Sequence, residues 1–292
     1  MPLNREFVGR EYPPTSATVT LEALQNYARA YNDGNPRYFD LSAQGGGIVA
    51  PPMFGVAVTW MSVVSAVGDP ELGADLLRLL HAEQDMEFLA PLRPGDEITT
   101  VARVASIEAR PGGEAMALEL NARNRAGAPV LRILFGILIR AARRDRSAAA
   151  RTERPVSPSG DPLLSVEQTI DRDQTFRYAE ASGDRNPIHV DENVAKMAGL
   201  PGIVVHGLCT MAFASKVMID GLCGGDPERL KRLRVQFSRP VFPGQSITTK
   251  VWATTTKLWA SGERTNRRAF AFETYNPEGM AVIRGGIAEV AP

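Results

Sequence analysis

The chain contains an internal duplication, and this limits its possible folds more than any other feature of the sequence. The aligned pairs are YARAYNDGNPRYFD (27–40) with YAEASGDRNPIHVD (178–191), GGIVAPPMFGVAV (46–58) with PGIVVHGLCTMAF (201–213), and EFLAPLRPGDEITT (87–100) with QFSRPVFPGQSITT (236–249). The segments keep their order, and the offset of 151, 155 and 149 residues drifts as loop insertions would require. The sequence therefore predicts two homologous halves.

The boundary between the halves is marked by a change in composition. RAARRDRSAAARTERPVSPSGDP (140–162) is rich in Arg, Ala, Ser and Pro, which is typical of a solvated linker. A basic docking surface is the alternative interpretation. We place the first half at 1–141, the linker at 142–160 and the second half at 161–292, since 292 residues accommodate two domains of ordinary size.

Both halves show the same order of secondary-structure patterns. Helices are predicted at 21–31 and 54–67 in the first half, and at 172–182 and 208–222 in the second, where Asp171 or Asp173 is the candidate N-cap. Alternating and β-branched strand patterns follow the second helix of each half. Because the second helix is apolar on nearly all sides, we expect it to be buried. The predicted fold is α+β, with an antiparallel sheet wrapped around a central apolar helix in each half.

Composition excludes some classes of function. The 33 basic and 33 acidic residues leave no formal net charge, which argues against binding to nucleic acid or an anionic membrane. Cys209 and Cys223 have no metal-ligand spacing and are predicted to be buried, reduced thiols. The chain start lacks the apolar core of a secretory signal, and its longest apolar run is interrupted, so a cytoplasmic, soluble protein is expected.

The stretch GDRNPIH (183–189) carries the clearest chemical signal. The chain has 3 histidines, and two of them, His189 and His206, lie in or just after this stretch. Proline fixes its own φ and biases Asn186 away from the helical region, so the turn can bring Asp184 and His189 toward one point. A carboxylate and an imidazole that share a water form a general acid–base pair. The alternative is an Asx-turn with a histidine at its end.

A wider stretch of the second half resembles a known family. FRYAEASGDRNPIHVDENVAKMAG is similar to the signature of the MaoC-like (R)-specific enoyl-CoA hydratases, and HGL and RPVFPGQSI also match that family. The resemblance covers the second half almost completely and the first half more weakly. Together the halves resemble the tandem, double hotdog dehydratases of the same superfamily, which implies a double hotdog fold.

The resemblance implies a hydro-lyase that reversibly hydrates trans-2-enoyl thioesters of coenzyme A or acyl-carrier protein to (R)-3-hydroxyacyl thioesters. Asp184 and His189 would form the acid–base pair, and Asn186 would hold their geometry. Gly207 lies at the start of a helix, where free N–H groups and the helix dipole favour negative charge, and the family makes its N–H the oxyanion donor. No metal or redox cofactor is implied.

Two further residues near this site have alternative interpretations. Ser215 occupies a position where the family commonly has a serine beside the substrate, and simple helix packing is the alternative. His206 is interpreted as a packing residue, or one that fixes its loop by a hydrogen bond, in preference to direct chemistry.

The first half lacks two requirements of this mechanism. Tyr38 stands at the position of His189, and a phenol that titrates near 10 is a poor acid–base group at neutral pH. Pro51-Pro52 replaces His206-Gly207, and proline has no N–H to donate. We therefore predict that the first half is not catalytic, and by analogy with other duplicated members it would leave room for the acyl tail.

Basic residues in the second half are candidates for binding the phosphates of coenzyme A. Lys231, Arg232, Arg234 and Arg239 lie in LKRLRVQFSRP, whereas the first half has Glu83 at the Arg232 position and Asp85 at the Arg234 position. Guanidinium groups bind phosphate well. An ordinary solvated strand face is the alternative.

Two other functions remain possible at this level. A hotdog thioesterase typically places a carboxylate on the central helix, and residues 208–219 contain none. A non-catalytic acyl-thioester-binding subunit is the other alternative, against which the complete set of Asp184, His189 and Gly207 argues. The expected partner is an acyl thioester, and the expected assembly is a monomeric pseudo-dimer or a homodimer.

Overall fold

The computed structural model describes residues 2–42, 46–76, 78–110, 112–141, 157–254 and 266–292. Residues 142–156, which make up most of the predicted linker, lie outside the described residues. The two halves on either side of them are described below with one numbering for helices and strands.

Each half has the predicted helices followed by strands, but a short strand that was not predicted precedes the first helix of each half. The first half contains β1 Thr15–Thr18, α1 Leu21–Ala30, α2 Gly55–Val67, β2 Leu79–Phe88, β3 Glu97–Arg110, β4 Gly113–Asn124 and β5 Pro129–Arg140. The second contains β6 Leu164–Thr169, α3 Gln174–Ser182, α4 Glu192–Met197, α5 Gly207–Leu222, β7 Leu230–Phe237, β8 Ser246–Ala253, β9 Arg268–Tyr275 and β10 Ala281–Val290. The four predicted helices are confirmed to within two residues at each end. The short helix α4 was not predicted.

The described strands form one antiparallel sheet in the order β1-β3-β4-β5-β2-β7-β10-β9-β8-β6. At its centre β2 pairs with β7, and Asp85 lies opposite Arg234. The hydroxyls of Tyr27 and Tyr178 lie 2.7 Å apart where α1 meets α3. In both pairs a residue meets its own counterpart in the repeat, which requires an approximate two-fold relation between the halves. Joining β2 to β7 also removes one exposed edge from each half.

The central helix of each half packs against this sheet. Helix α5 contacts β6, β7 and β10, and its buried residues include Leu208, Met211, Phe213 and Val217. Helix α2 contacts β1, β3 and β4. The burial predicted for the central helix is confirmed for α5, whereas α2 leaves Met61 and Val64 exposed. The α+β fold is confirmed.

Both cysteines are buried free thiols, as predicted. Burial raises the pKa of Cys223 to about 12, which makes its thiol unreactive at neutral pH. Among the described residues, no helix combines the length and the apolar composition that crossing a bilayer needs.

Candidate active site

Helix α3 ends in a way that directs the loop carrying Asp184. Asp173 is its N-cap residue, but its carboxylate accepts from Arg177 Nε at 3.0 Å instead of capping the helix. At the other end Gly183 has φ 80°, a left-handed conformation that favours glycine. A Cβ there would also lie 3.2 Å from the Trp60 ring. Backbone conformation and space therefore both favour glycine at position 183.

The GDRNP turn is built from two side-chain hydrogen bonds. Asp184 Oδ1 accepts from the N–H of Asn186 at 3.1 Å, and Asn186 Oδ1 accepts from the N–H of Ile188 at 3.3 Å. Asn186 thereby caps the short 3-10 helix Pro187–His189, at the end of which His189 lies. The asparagine acts on the geometry of the pair through this cap.

The tautomer of His189 follows from its neighbours. The side chain is 8% exposed, and Nδ1 lies 2.8 Å from the carbonyl oxygen of Val204. A carbonyl only accepts, so Nδ1 carries the proton and Nε2 keeps a lone pair. The site therefore contains an imidazole nitrogen that is able to accept a proton.

His206 connects the two members of the pair. Its Nε2 donates to the backbone oxygen of Asp184 at 3.0 Å, and its ring stacks on that of His189 with centroids 3.7 Å apart. The loop-fixing hydrogen bond expected from the sequence is present. The Nδ1 atom of His206 is buried without a hydrogen-bond partner among the described residues.

Burial shifts the titration of both members of the pair. It raises the pKa of Asp184, against the opposing effects of His189 and of the N–H of Asn186. It lowers the pKa of His189, against the opposing effect of Asp184. Proton transfer in both directions requires acid and base strengths that lie close together. Because the pKa of Asp184 rises and the pKa of His189 falls, the two pKa values lie closer together than they do in water.

The same three side chains are the described group best suited to hold a metal ion. One donor atom from each of Asp184, His189 and His206 lies within 4.8 Å of the others. One carboxylate and two imidazoles suit a divalent transition metal. The sequence predicted no metal, and the pair needs none for acid–base chemistry.

Gly207 is the first residue of α5, and its N–H has no acceptor among the described residues. The first backbone bond of the helix runs from the N–H of Thr210 to the oxygen of His206, at 3.1 Å. A Cβ at Gly207 would lie 3.1 Å from the ring of Phe237. A free N–H at a helix start, with no side chain to screen it, is suited to stabilise a negatively charged oxygen.

Two of the basic candidates are already paired with carboxylates. Arg232 Nε lies 2.8 Å from Asp85 Oδ1, and its Nη1 lies 3.1 Å from Glu289 Oε1. Arg234 Nε lies 2.7 Å from Glu83 Oε1. These ion pairs join β7 to its neighbours β2 and β10. A role for either arginine in binding coenzyme A would require its ion pairs to open.

The other binding candidates lie in different surroundings. Lys231 belongs to β7 of the second half but lines a cavity of the first half together with Pro51 and Pro52. Arg239 is exposed and lies two residues beyond Phe237. Ser215 has no exposed surface, and its hydroxyl donates to the oxygen of Ala212 at 2.9 Å, as helix packing would give.

Two contributors to the site were not identified from the sequence. Val204 acts through its backbone oxygen, which leaves no signal in residue type. Phe237 packs against Gly207 from a strand that begins 23 residues further along the chain, at Leu230. Its aromatic character is visible in the sequence, but its contact with a helix start depends on the tertiary fold.

Comparison with known proteins agrees with the geometry. Residues 154–269 match the MaoC-like domain, and residues 6–133 match the FAS1-like dehydratase domain region. The chain is 26% identical to probable enoyl-CoA hydratase 2 of Dictyostelium discoideum, over 99% of this chain and 96% of that protein. The MaoC-like dehydratase of Phytophthora capsici is 26% identical, with a TM-score of 0.79 over 99% of both chains.

The duplicated architecture also has a solved counterpart. A Mycobacterium tuberculosis protein with a double hotdog fold aligns over 97% of this chain and 95% of its own, with a TM-score of 0.62. At 13% identity this likeness shows the fold alone. A MaoC-like model matches the second half and a FAS1-like dehydratase model matches the first, and the full-length relatives agree with both. This chain is therefore an enzyme of the MaoC-like dehydratase family, built as a double hotdog.

Proposed function

We propose that the protein reversibly hydrates trans-2-enoyl thioesters of coenzyme A or acyl-carrier protein to (R)-3-hydroxyacyl thioesters, in its second half. The observation that carries the proposal is that Asp184, His189 and His206 bring donor atoms within 4.8 Å of one another, while the unpartnered N–H of Gly207 follows His206 directly in the chain. The Dictyostelium relative is named as a probable enoyl-CoA hydratase, which supports the same reaction class.

The proposed reaction adds water across the C2–C3 double bond. A water held between the Asp184 carboxylate and His189 Nε2 attacks C3, loses one proton to the pair, and the pair delivers a proton to C2. The thioester oxygen becomes negative in between, and the N–H of Gly207 stabilises it. Because the two groups are coupled, we assign the transfers to the pair and not to either residue. The reaction consumes no redox cofactor.

Among the basic candidates we propose Arg239 for the phosphates of coenzyme A. It is exposed, it follows the strand whose Phe237 packs on Gly207, and it forms no ion pair with the described residues. The other candidates are weaker proposals. Arg232 and Arg234 are held in ion pairs, Ser215 is buried in its helix, and Lys231 lines the first-half cavity.

The test is a hydration assay with enoyl-CoA substrates from crotonyl to long acyl chains. Wild type should remove the enoyl absorbance and yield a 3-hydroxyacyl product of (R) configuration on chiral chromatography. His189→Ala should lower kcat by about 10²–10⁴-fold, the usual contribution of a general acid–base group. Release of free thiol would instead indicate a thioesterase. Wild-type rates in the variant would show that the site is assigned wrongly.

A further inference from the structure

The third histidine of the chain, His81, lies next to the catalytic half although it belongs to the first half. Its ring stacks on Phe135 with centroids 3.9 Å apart and packs against Phe237 at 4.9 Å. Phe237 is the ring that lies closest to position 207, where a Cβ would be 3.1 Å from it. One aromatic ring therefore separates His81 from the N–H proposed to hold the thioester oxygen.

The repeat shows what His81 faces. Its counterpart, 149 residues further along the chain, is Leu230, which lines the first-half cavity together with Pro51 and Pro52. Those prolines are the counterparts of His206 and Gly207. The two-fold relation between the halves therefore leads us to expect His81 in the equivalent position relative to Gly207, and its contact with Phe237 agrees with this.

A β-bulge in β2 sets the direction of the His81 side chain. In the pairing of β2 with β5 the register shifts between His81 and Glu83, which makes Ala82 the extra residue. Gly136 accommodates the bulge, since a Cβ there would lie 3.0 Å from the Glu83 Cβ. Bulges change the direction of a side chain and occur often beside active sites.

Hydrogen bonding determines what His81 offers to a ligand. Its Nε2 lies 3.1 Å from both the Glu83 carbonyl oxygen and Gln84 Oε1. Since the carbonyl only accepts, Nε2 carries the proton and Nδ1 keeps a lone pair. Burial lowers the pKa of His81 to about 4, so the ring is neutral at physiological pH. No described residue donates to Nδ1.

We propose that His81 Nδ1 accepts a hydrogen bond from an amide N–H of the pantetheine arm that coenzyme A and acyl-carrier protein share. The inference rests on the proposed function and adds a binding residue from the first half to the site in the second. The arm carries an amide nitrogen two carbons from the thioester sulfur, and a neutral acceptor suits an uncharged donor. Leu230, at the matching position of the first-half cavity, offers no acceptor.

The test compares two substrates in one variant, His81→Leu, which introduces the residue of the first-half cavity. With an enoyl-CoA, kcat/KM should fall about tenfold, the loss expected for one neutral hydrogen bond. With an S-alkyl thioester of the same enoyl acid, which has no amide, kcat/KM should not change. Leu80→Ala, at the exposed neighbouring position of β2, is the control and should affect neither substrate.

The possible failures are distinguishable. A wild-type protein that hydrates neither substrate would overturn the proposed function itself. If wild type is active but His81→Leu lowers kcat/KM equally for both substrates, or for neither, only the role of His81 is overturned. If the variant does not fold, the NMR signal of the His81 Nδ1 nitrogen in wild type decides. It should move when a saturated acyl-CoA binds and stay in place with the S-alkyl analogue, and no movement with acyl-CoA would contradict the proposal.

Discussion

The two halves have the same turn but differ in chemistry. In each, the aspartate accepts the N–H of the asparagine two residues later, at 3.1 Å, and the asparagine caps the 3-10 helix that follows. Asp33 and Asp184 are therefore both needed to build the turn. Presence of the GDxNP pattern alone does not distinguish a catalytic half from a structural one.

What surrounds the turn makes the difference. In the first half Tyr38 is fully buried at the histidine position, and the Lys216 ammonium from α5 lies 3.9 Å from Asp33 Oδ1. Asp33 is 2% exposed, so water has little access to it. Arg37 from the same turn pairs with Asp226 across the repeat. The first-half turn thus helps to join the two halves through an ion pair. In the second half, His189 Nε2 and the N–H of Gly207 have no hydrogen-bond partner among the described residues.

The largest expected effect compares the two aspartates. Asp184→Asn removes the carboxylate of the pair and should lower the hydration rate by about 10²–10⁴-fold, while the amide oxygen can still accept from Asn186. Asp33→Asn is the matched control and should leave the rate nearly unchanged. Both are measured as loss of enoyl absorbance. Similar losses in the two variants would mean that the first half contributes to catalysis.

A second comparison exchanges a residue between the halves. Gly207→Pro introduces the residue found at Pro52, removes the N–H and is compatible with the first turn of a helix. We expect kcat to fall by about 10²–10³-fold. Gly207→Ala retains the N–H but makes the same contact with Phe237, so the difference between the variants isolates the hydrogen bond. Equal rates in the two variants would exclude an oxyanion role for this N–H.

The pH dependence of stability tests the burial of Asp33. Burial raises its folded-state pKa above the unfolded value of about 3.9, so its contribution to stability is present below that pH and is lost as the pH rises through the folded pKa. Asp33→Asn removes this loss. The free energy of unfolding of the Asp33→Asn variant, relative to that of wild type, should therefore increase from about pH 4 upward and then level off. Urea unfolding across this range measures it, and a constant difference would contradict the shift.

The smallest expected effect concerns the ammonium beside Asp33. Lys216→Met introduces the residue at Met61, its counterpart in the repeat, and leaves the buried carboxylate without that cation. Because Lys216 is partly exposed, we expect the free energy of unfolding at neutral pH to fall by only about 1 kcal/mol. In an Asp33→Asn background the loss should shrink to the part due to the ion pair of Lys216 with Asp220, as a double-mutant cycle would show. An undiminished loss would assign the effect to helix packing.

Much of the fold was predictable because its signals are local. The duplication, the buried central helices and the turn follow from the order of residues, and the family resemblance is confirmed. The surroundings of Arg232 and Arg234 were not predictable in the same way. Their charges suggested phosphate binding, but ion pairs form between strands far apart in the chain, and sequence does not show which carboxylates a strand will face.

By itself the sequence determined the two repeats, the helix around which each folds, and which half retains the histidine and the glycine at a helix start. These are properties of short segments, set by apolar periodicity and by the absence of N–H in proline. Only the tertiary structure decided the tautomer of His189, the stacking of His206 upon it, and the packing of His81 against Phe237 of the other half. Each of these depends on a contact across the fold, where the two-fold packing of the halves brings distant residues together.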